Sequence, residues 1–568
     1  MTLAATLCAL LLLTTSALTR GVHRAFSCYG YYGNTHRKQH TQFAVQIFDT
    51  TVNCRACADL PDRLPMRFTS VLAAVSLLLP AALCNLPANA QTWSIGQSST
   101  HTAITAVSVP AQESDAAHVV VIGSLSGDVA SRGTVQAGYE AYVNSADNFL
   151  DVTFIGTANA DGAALQFPPT EPAYSGNPAA WSLWQWLSTH TADAVIIVGG
   201  DEYGLGAALN NGLPGLGTVP SYELDYENEL IEALNGRKSI EISAAHAALQ
   251  IRSRRSADAM AEGLAASYGL QLDALTYIPA MALIGKLQLG RLDEVERIVA
   301  PALAAAETMQ ITSSLQIAGH LLFAELAERT GNARYLALAR RAADMAFDAN
   351  GNLLNAMPFH GDYSDAFFMA TPLLAKVGKL TGDSRYFDMA LRHVDYLQAE
   401  LLRNDGLYNH WPRAEAAWGR GNAFVALGLA LALGDLPDSH PAYARLLEIY
   451  RQHVTTLLNH QDVDGMWHNI IDMPGSWAEL SATAMIATAI QHGVDHEWLD
   501  GFYQNVVDRA WEGVVLRTDD NFGFIDVCES TPGQESFKAY VDRKALQGRD
   551  DRAGGMMLLF AAARLQPR

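Results

Sequence analysis

Two kinds of apolar spacing divide the chain. From Gln91 to about Ile251, strand-length apolar runs alternate with helix-period segments. His118-Val119-Val120-Val121-Ile122, Asp151-Val152-Thr153-Phe154-Ile155 and Ala192 to Val198 read as short buried strands, and Trp181 to Leu187 as a helix between them. This alternation predicts an α/β layer fold with mostly parallel strands over residues 91–255. Ser253-Arg254-Arg255-Ser256 is a polar seam. Beyond it apolar positions recur at helical spacing and strand-like alternation nearly disappears, so residues 256–568 read as helical.

A turn recurs in the helical part. Gly290-Arg291-Leu292-Asp293, Thr330-Gly331-Asn332-Ala333-Arg334-Tyr335 and Thr381-Gly382-Asp383-Ser384-Arg385-Tyr386 each close one helix and open the next. Their spacing of about 40–50 residues fits one helical hairpin per repeat. Gly ends the first helix, and Asn or Asp caps the second. Weaker relatives of the turn stand at Gly434-Asp435 and Gly493-Val494-Asp495. Alternate junctions instead carry aromatic and charged residues: Tyr363-Ser364-Asp365, His410-Trp411, Trp418-Gly419-Arg420-Gly421-Asn422, Trp467-His468 and Trp477-Ala478-Glu479. An open solenoid favours regular loops and polar end caps, whereas a closed ring would gather these clusters at one end. The chain is therefore expected to be multidomain, a C-terminal all-α (α/α)6 barrel preceded by an α/β domain.

Composition narrows the partners. The 568 residues are 49% hydrophobic and 17% charged, with a formal net charge of -21. Such an acidic chain is a poor ligand for nucleic acid or an anionic membrane surface. A local cationic pocket still admits a small acidic ligand. Of the six cysteines, Cys8, Cys28, Cys54, Cys57 and Cys84 precede residue 90 and leave Cys528 alone afterwards. Cys54-x-x-Cys57 lacks a second pair, so neither a metal site, a cofactor nor a disulfide framework is implied. Met66-Arg67, the apolar run Val71 to Leu83 and Ala88-Asn89-Ala90 have the order of a signal peptide over 66–90. Residues 1–65 are then an upstream extension, either untranslated with a start at Met66 or a genuine leader. On this reading the protein is exported, periplasmic or secreted, with its oligomeric state open.

The densest chemistry lies at Trp418 to Asn422. Arg420 offers a planar fork of donors matched to a carboxylate, its flanking glycines let backbone approach closely, and Trp418 offers a stacking face. His410-Trp411 lies just upstream, and the helical run Phe424 to Leu433 follows. A carboxylate on a ring-shaped ligand suits this set; an exposed cap suits it as well.

Residues from about 258 to 565 resemble the unsaturated glucuronyl and rhamnogalacturonyl hydrolases, glycoside hydrolase families 88 and 105. Matching stretches, in order, are Asp365-Ala366-Phe367-Phe368-Met369-Ala370-Thr371-Pro372, Gly406-Leu407-Tyr408-Asn409-His410, Trp418 to Asn422, Asp464-Gly465-Met466-Trp467, Glu479-Leu480-Ser481-Ala482-Thr483 and the helix start near Gly554-Gly555. The resemblance implies hydration of the 4,5 double bond of a terminal unsaturated uronic acid, the sugar that polysaccharide lyases leave behind. One carboxyl protonates the double-bond carbon and then activates water at its neighbour, without the carboxylate pair of ordinary glycosidases. The resemblance puts Asp365 in that role, with Asp362 a loop or capping residue. It implies sugar contacts from His410, Trp411, Trp418, Arg420 and Asn422, with Phe424 where an indole often stands and Glu479 and Ser481 as support. The sequence departs from the family at Ser314, where relatives commonly carry an Asp that contacts the sugar. The implied partner is an acidic oligosaccharide. Pectin fragments, glycosaminoglycans, algal chains and bacterial exopolysaccharides all yield the same terminal sugar. The alternative is a non-catalytic or weakly active acidic-sugar-binding protein on the same barrel, which Ser314 favours and Asp365 opposes.

Residues 118–245 resemble the zinc carboxypeptidase fold. Gly123-Ser124-Leu125-Ser126-Gly127-Asp128-Val129 stands where that family has its His-x-x-Glu pair, but Ser126 and Val129 fill the ligand positions. Zinc chemistry needs three protein ligands and an open position. The expectation is a non-catalytic scaffold, or a lid over the mouth of the barrel.

Overall fold

The computed structural model describes residues 90–566, apart from 114–115, 146–147 and 226–229, and these fall in one compact unit. Residues 1–65 and all but the last residue of the signal segment 66–90 lie outside the described residues.

The front part is built on β1 (Gln91–Gln97), β2 (Ala103–Val109), β3 (His118–Ile122), β4 (Asp151–Ile155), β5 (Ala194–Val198) and β6 (Ser221–Leu224). They form one sheet in the order β1-β2-β4-β3-β5-β6. Strands β3 to β6 are parallel, with Val119 opposite Val152 and Ala194, while β1 and β2 are antiparallel additions. Helices α1 (Val129–Val143), α2 (Pro178–Thr189), α3 (Leu205–Asn211), α4 (Leu230–Asn235) and α5 (Ala244–Ser253) complete this part. Strands β3 and β5 are buried on both faces, which is why they read as unbroken apolar runs. The patterning missed β1 and β2 because Gln91, Ser94, Gln97 and Thr105 interrupt their apolar positions.

The second part contains α6 (Ala257–Ser267), α7 (Tyr277–Gln288), α8 (Leu292–Val299), α9 (Leu303–Thr308), α10 (Ser314–Gly319), α11 (Leu321–Thr330), α12 (Ala333–Ala343), α13 (Ala366–Thr381), α14 (Arg385–Leu401), α15 (Gly419–Leu433), α16 (Pro441–Leu458), α17 (Leu480–Asp495) and α18 (Gln504–Leu516). A hairpin of β7 (Phe524–Cys528) and β8 (Ala545–Gly548) encloses α19 (Phe537–Val541), and α20 (Asp551–Ala563) follows. Helix α7 packs on α10, α10 on α13, α13 on α15, α15 on α17, α17 on α20, and α20 returns to α7. Four members of this circuit, α13, α15, α17 and α20, are buried almost all round. That explains why they lack a polar stripe, whereas α12, α14 and α16 outside them have one.

The capping turns behave as their chemistry dictates. Gly331 and Gly382 take the left-handed conformation after α11 and α13, and Asn332 accepts a bond from Arg334 N at 2.9 Å. Two expectations are corrected. Gly493-Val494-Asp495 is no turn, because α17 runs through it with Gly493 packed against Tyr450 and Leu499. The helical part is also not free of strands: Phe524-Ile525-Asp526-Val527-Cys528 forms half of a hairpin.

Candidate active site

Two of the aromatic and charged junctions, Tyr363-Ser364-Asp365 and Trp418 to Asn422, meet where circuit helices begin, whereas His468 and Trp477 face the front part. Tyr277 opens α7, Asp365 precedes α13, Trp418 precedes α15 and Arg552 lies in the first turn of α20. Together with Ser313, Ser314, Phe359, Tyr363, Arg420, Phe424 and Thr531, they line a cavity of about 640 Å³. The guanidinium groups of Arg420 and Arg552 on its wall give the cavity a positive bias. An anionic group is favoured there.

Asp365 stands at the N-cap position of α13, yet its side chain makes no capping bond. Its Oδ1 is buried without a hydrogen-bond partner and lies 3.3 Å from His410 Nε2, close but out of hydrogen-bond alignment. His410 is fully buried behind it. Tyr363 stacks on the imidazole at 5.2 Å between ring centres, and Trp418 lies 4.5 Å from it. His410 Nδ1 is 2.7 Å from the Tyr540 hydroxyl, which also accepts from Gln534 N at 3.1 Å. Burial pushes the Tyr540 phenol well up, so this hydroxyl keeps its proton. Gly421 permits this assembly, since a Cβ there would collide with Ser364 Oγ beside Asp365.

Arg420 is 2% exposed and its fork is occupied. Nη1 donates to the Cys528 carbonyl and Nη2 to the Glu529 carbonyl, both at 2.6 Å, and the guanidinium lies 4.8 Å from the Trp418 ring centre. Glu479 stands 3.9 Å behind it and caps α17 through Ser481 N and Ala482 N. Glu479 thus supports Arg420, and Ser481 Oγ donates to its carboxylate.

The remaining expected contacts divide. Ser314 and Trp418 are on the cavity wall, as is Phe424. Asn422 is a correction: it is fully buried, accepting from Tyr408 N and donating to the Tyr408 and Trp418 carbonyls, so its polar atoms are committed to backbone. Trp411 packs beside Tyr363 and under Gly533 and does not line the cavity, and neither does His410. Asp362 accepts from the Tyr396 hydroxyl at 2.8 Å, a loop-tying role. Tyr277, Tyr363 and Arg552 are wall residues that motif reading did not single out as contacts. For Arg552 a signal existed, the Gly554-Gly555 helix start two residues on. In the front part, Ser126 donates to Asp128, which caps α1 through Ser131 N, and Val129 is exposed.

Residues 298–566 match the model described as Glycosyl Hydrolase Family 88, so the helical part carries that family's sequence signature. An unsaturated rhamnogalacturonyl hydrolase, YesR, of Bacillus subtilis (strain 168) is 32% identical over 213 residues, 35% of this chain and 58% of the relative. An unsaturated 3S-rhamnoglycuronyl hydrolase of Alteromonas sp. (strain LOR) is 29% identical over 175 residues, 28% of this chain and 42% of the relative. The chain thus spans about half the length of the curated relatives it matches. Among solved structures, a possible member of the GH105 family from Klebsiella pneumoniae subsp. pneumoniae MGH 78578 aligns with a TM-score of 0.48 at 22% identity, covering 54% of this chain and 92% of that one. The resemblance to family 88 has support from a sequence match independent of the cavity.

Proposed function

We propose that this protein is an exported unsaturated uronyl hydrolase. It hydrates the 4,5 double bond of a terminal unsaturated uronic acid on lyase-generated oligosaccharides, and its helical circuit is an (α/α)6 barrel. The observation that carries the reading is Asp365, a cavity carboxyl with an unpartnered Oδ1 backed by His410. In its acid form Asp365 gives a proton to C4 of the enol ether, and the π electrons form the new C–H bond. Positive charge at C5 is shared with the ring oxygen. The resulting carboxylate takes a proton from water as the water oxygen bonds to C5. The hemiketal so formed opens, and the glycosidic bond to the leaving sugar breaks. Trp418 supplies a ring face for the sugar, and Ser314 a hydroxyl on the opposing wall. The front α/β part is a non-catalytic scaffold on this reading.

Hydration destroys the conjugated chromophore, so ultraviolet absorbance of lyase-digested polysaccharides follows the reaction directly. Wild type should bleach at least one such digest, and Asp365→Asn should bleach none while still binding it. Ser314 favours a second reading, an acidic-sugar-binding protein without turnover, because the wall offers a hydroxyl where relatives commonly carry a carboxylate. Binding without bleaching by the wild type would establish that alternative.

A further inference from the structure

Two arginines stand at the cavity, and they share one carbonyl. Arg420 Nη1 and Arg552 Nη1 both donate to Cys528 O, at 2.6 and 3.2 Å. Beyond that they differ. The second nitrogen of the Arg420 fork is held by Glu529 O, and a carboxylate, Glu479, stands 3.9 Å from the guanidinium. Receiving a substrate carboxylate in the bidentate mode would require giving up two short charge-assisted bonds to backbone carbonyls. Arg552 has one longer carbonyl bond and a side-chain hydrogen bond with the Tyr277 hydroxyl, a neutral partner on the cavity wall. A carboxylate stands as near to it, Asp550 at 3.8 Å, so the two arginines differ in their carbonyl bonds and not in a neighbouring carboxylate. It lies in the first turn of α20, next to Asp551 and two residues after the N-cap Asp550.

Resting on the uronyl-hydrolase reading, we propose that Arg552, not Arg420, receives the carboxylate of the terminal uronide. Arg420 instead braces the β7 end and the Trp418 wall. Arg552 then determines specificity for the free acid over the neutral ester of the same sugar, because only the acid pairs with its fork.

The test uses one unsaturated oligosaccharide as free acid and as methyl ester, with the full chain. Wild type should prefer the acid. Arg552→Gln should raise KM for the acid roughly 10- to 100-fold, the range expected for a hydrogen bond to a charged group, with little change in kcat. The ester should be unaffected. Arg552→Lys, a point charge without a fork, should fall between them. Retention of the acid preference by Arg552→Gln would overturn the proposal, as would its loss in folded Arg420→Gln instead. Should the wild type turn over neither compound, the hydrolase reading fails by itself, and calorimetric titration of the same pair decides the proposal. Acid-selective binding lost in Arg552→Gln supports it; equal binding of acid and ester, or no binding, overturns it.

Discussion

The cavity and the seam between the front and helical parts both bury polar groups, but they treat their carboxylates in opposite ways. At the cavity, Asp365 Oδ1, His410 Nε2, Ser364 Oγ and Trp418 Nε1 are buried with no hydrogen-bond partner. At the seam the carboxylates are paired. Asp464 lies 3.0 Å from both His190 Nε2 of the front part and Arg517 Nη2. Tyr174 of the front part donates to Asp526 at 3.1 Å and stacks on Trp477 at 5.8 Å. Buried groups without partners cost stability, and a ligand can satisfy them; paired ones hold surfaces together. The first arrangement suits a site, and the second suits a joint.

The seam also carries two carboxyls with opposed pH behaviour. Burial pushes Asp464 up, but the charge and hydrogen bonds of His190 and Arg517 overrule it and hold it well below its ordinary value. Its contribution is present above the usual carboxylate range and is lost as pH falls. Burial pushes Asp526 up to about 6, with Arg517, Gln547 and Tyr174 only partly offsetting it. Its contribution is complete below its ordinary 3.8 and is lost as pH rises through 6.

The sharpest way to break the contrast is Asp365→Asn. It should lower turnover by about 10³-fold, in the range of a lost general acid/base, while the melting temperature stays put because no protein bond is lost. A falling melting temperature would make Asp365 a structural residue. Asp464→Asn should do the reverse. Stranding the buried Arg517 charge should cost about 3–5 kcal/mol in denaturant unfolding, with KM unchanged where the protein remains folded. Asp526→Asn should remove a pH dependence: wild type should lose ~3 kcal/mol of stability between pH 3.8 and pH 7 through this group, and the variant should not. Titrating both proteins over that range by chemical denaturation measures the difference. Tyr174→Phe should have the smallest effect, about 1 kcal/mol, growing above pH 6 where Asp526 is ionised and needs its donor.

Much of this was legible along the chain, for local reasons. The runs at 118–122 and 151–155 became β3 and β4 residue for residue, because strands buried on both faces read as mostly apolar runs, Thr153 being accommodated by bonds to Ser108 and His118. Asp365 was legible through its motif and proved to be a wall residue of the cavity. Asn422 carried the same kind of motif signal, yet its amide was claimed by the Tyr408 and Trp418 backbone. Gly493 shows the limit for turns, since a glycine between apolar residues fits a helix interior wherever a neighbour packs too closely for a Cβ.

Sequence alone determined the buried strands β3, β4 and β5, the helical character of residues 256–568 apart from the β7–β8 hairpin, where the caps at Gly331, Asn332 and Gly382 fall, and which side chains can carry a proton or a carboxylate. Those properties depend on periodicity and on groups within a few residues of one another. Only the tertiary structure decided that the Arg420 fork is taken by carbonyls 108 and 109 residues further on, leaving Arg552 facing the cavity. Hydrogen-bond donors go to whichever buried acceptors the packing brings within reach, and that choice is made between distant segments once water has been excluded.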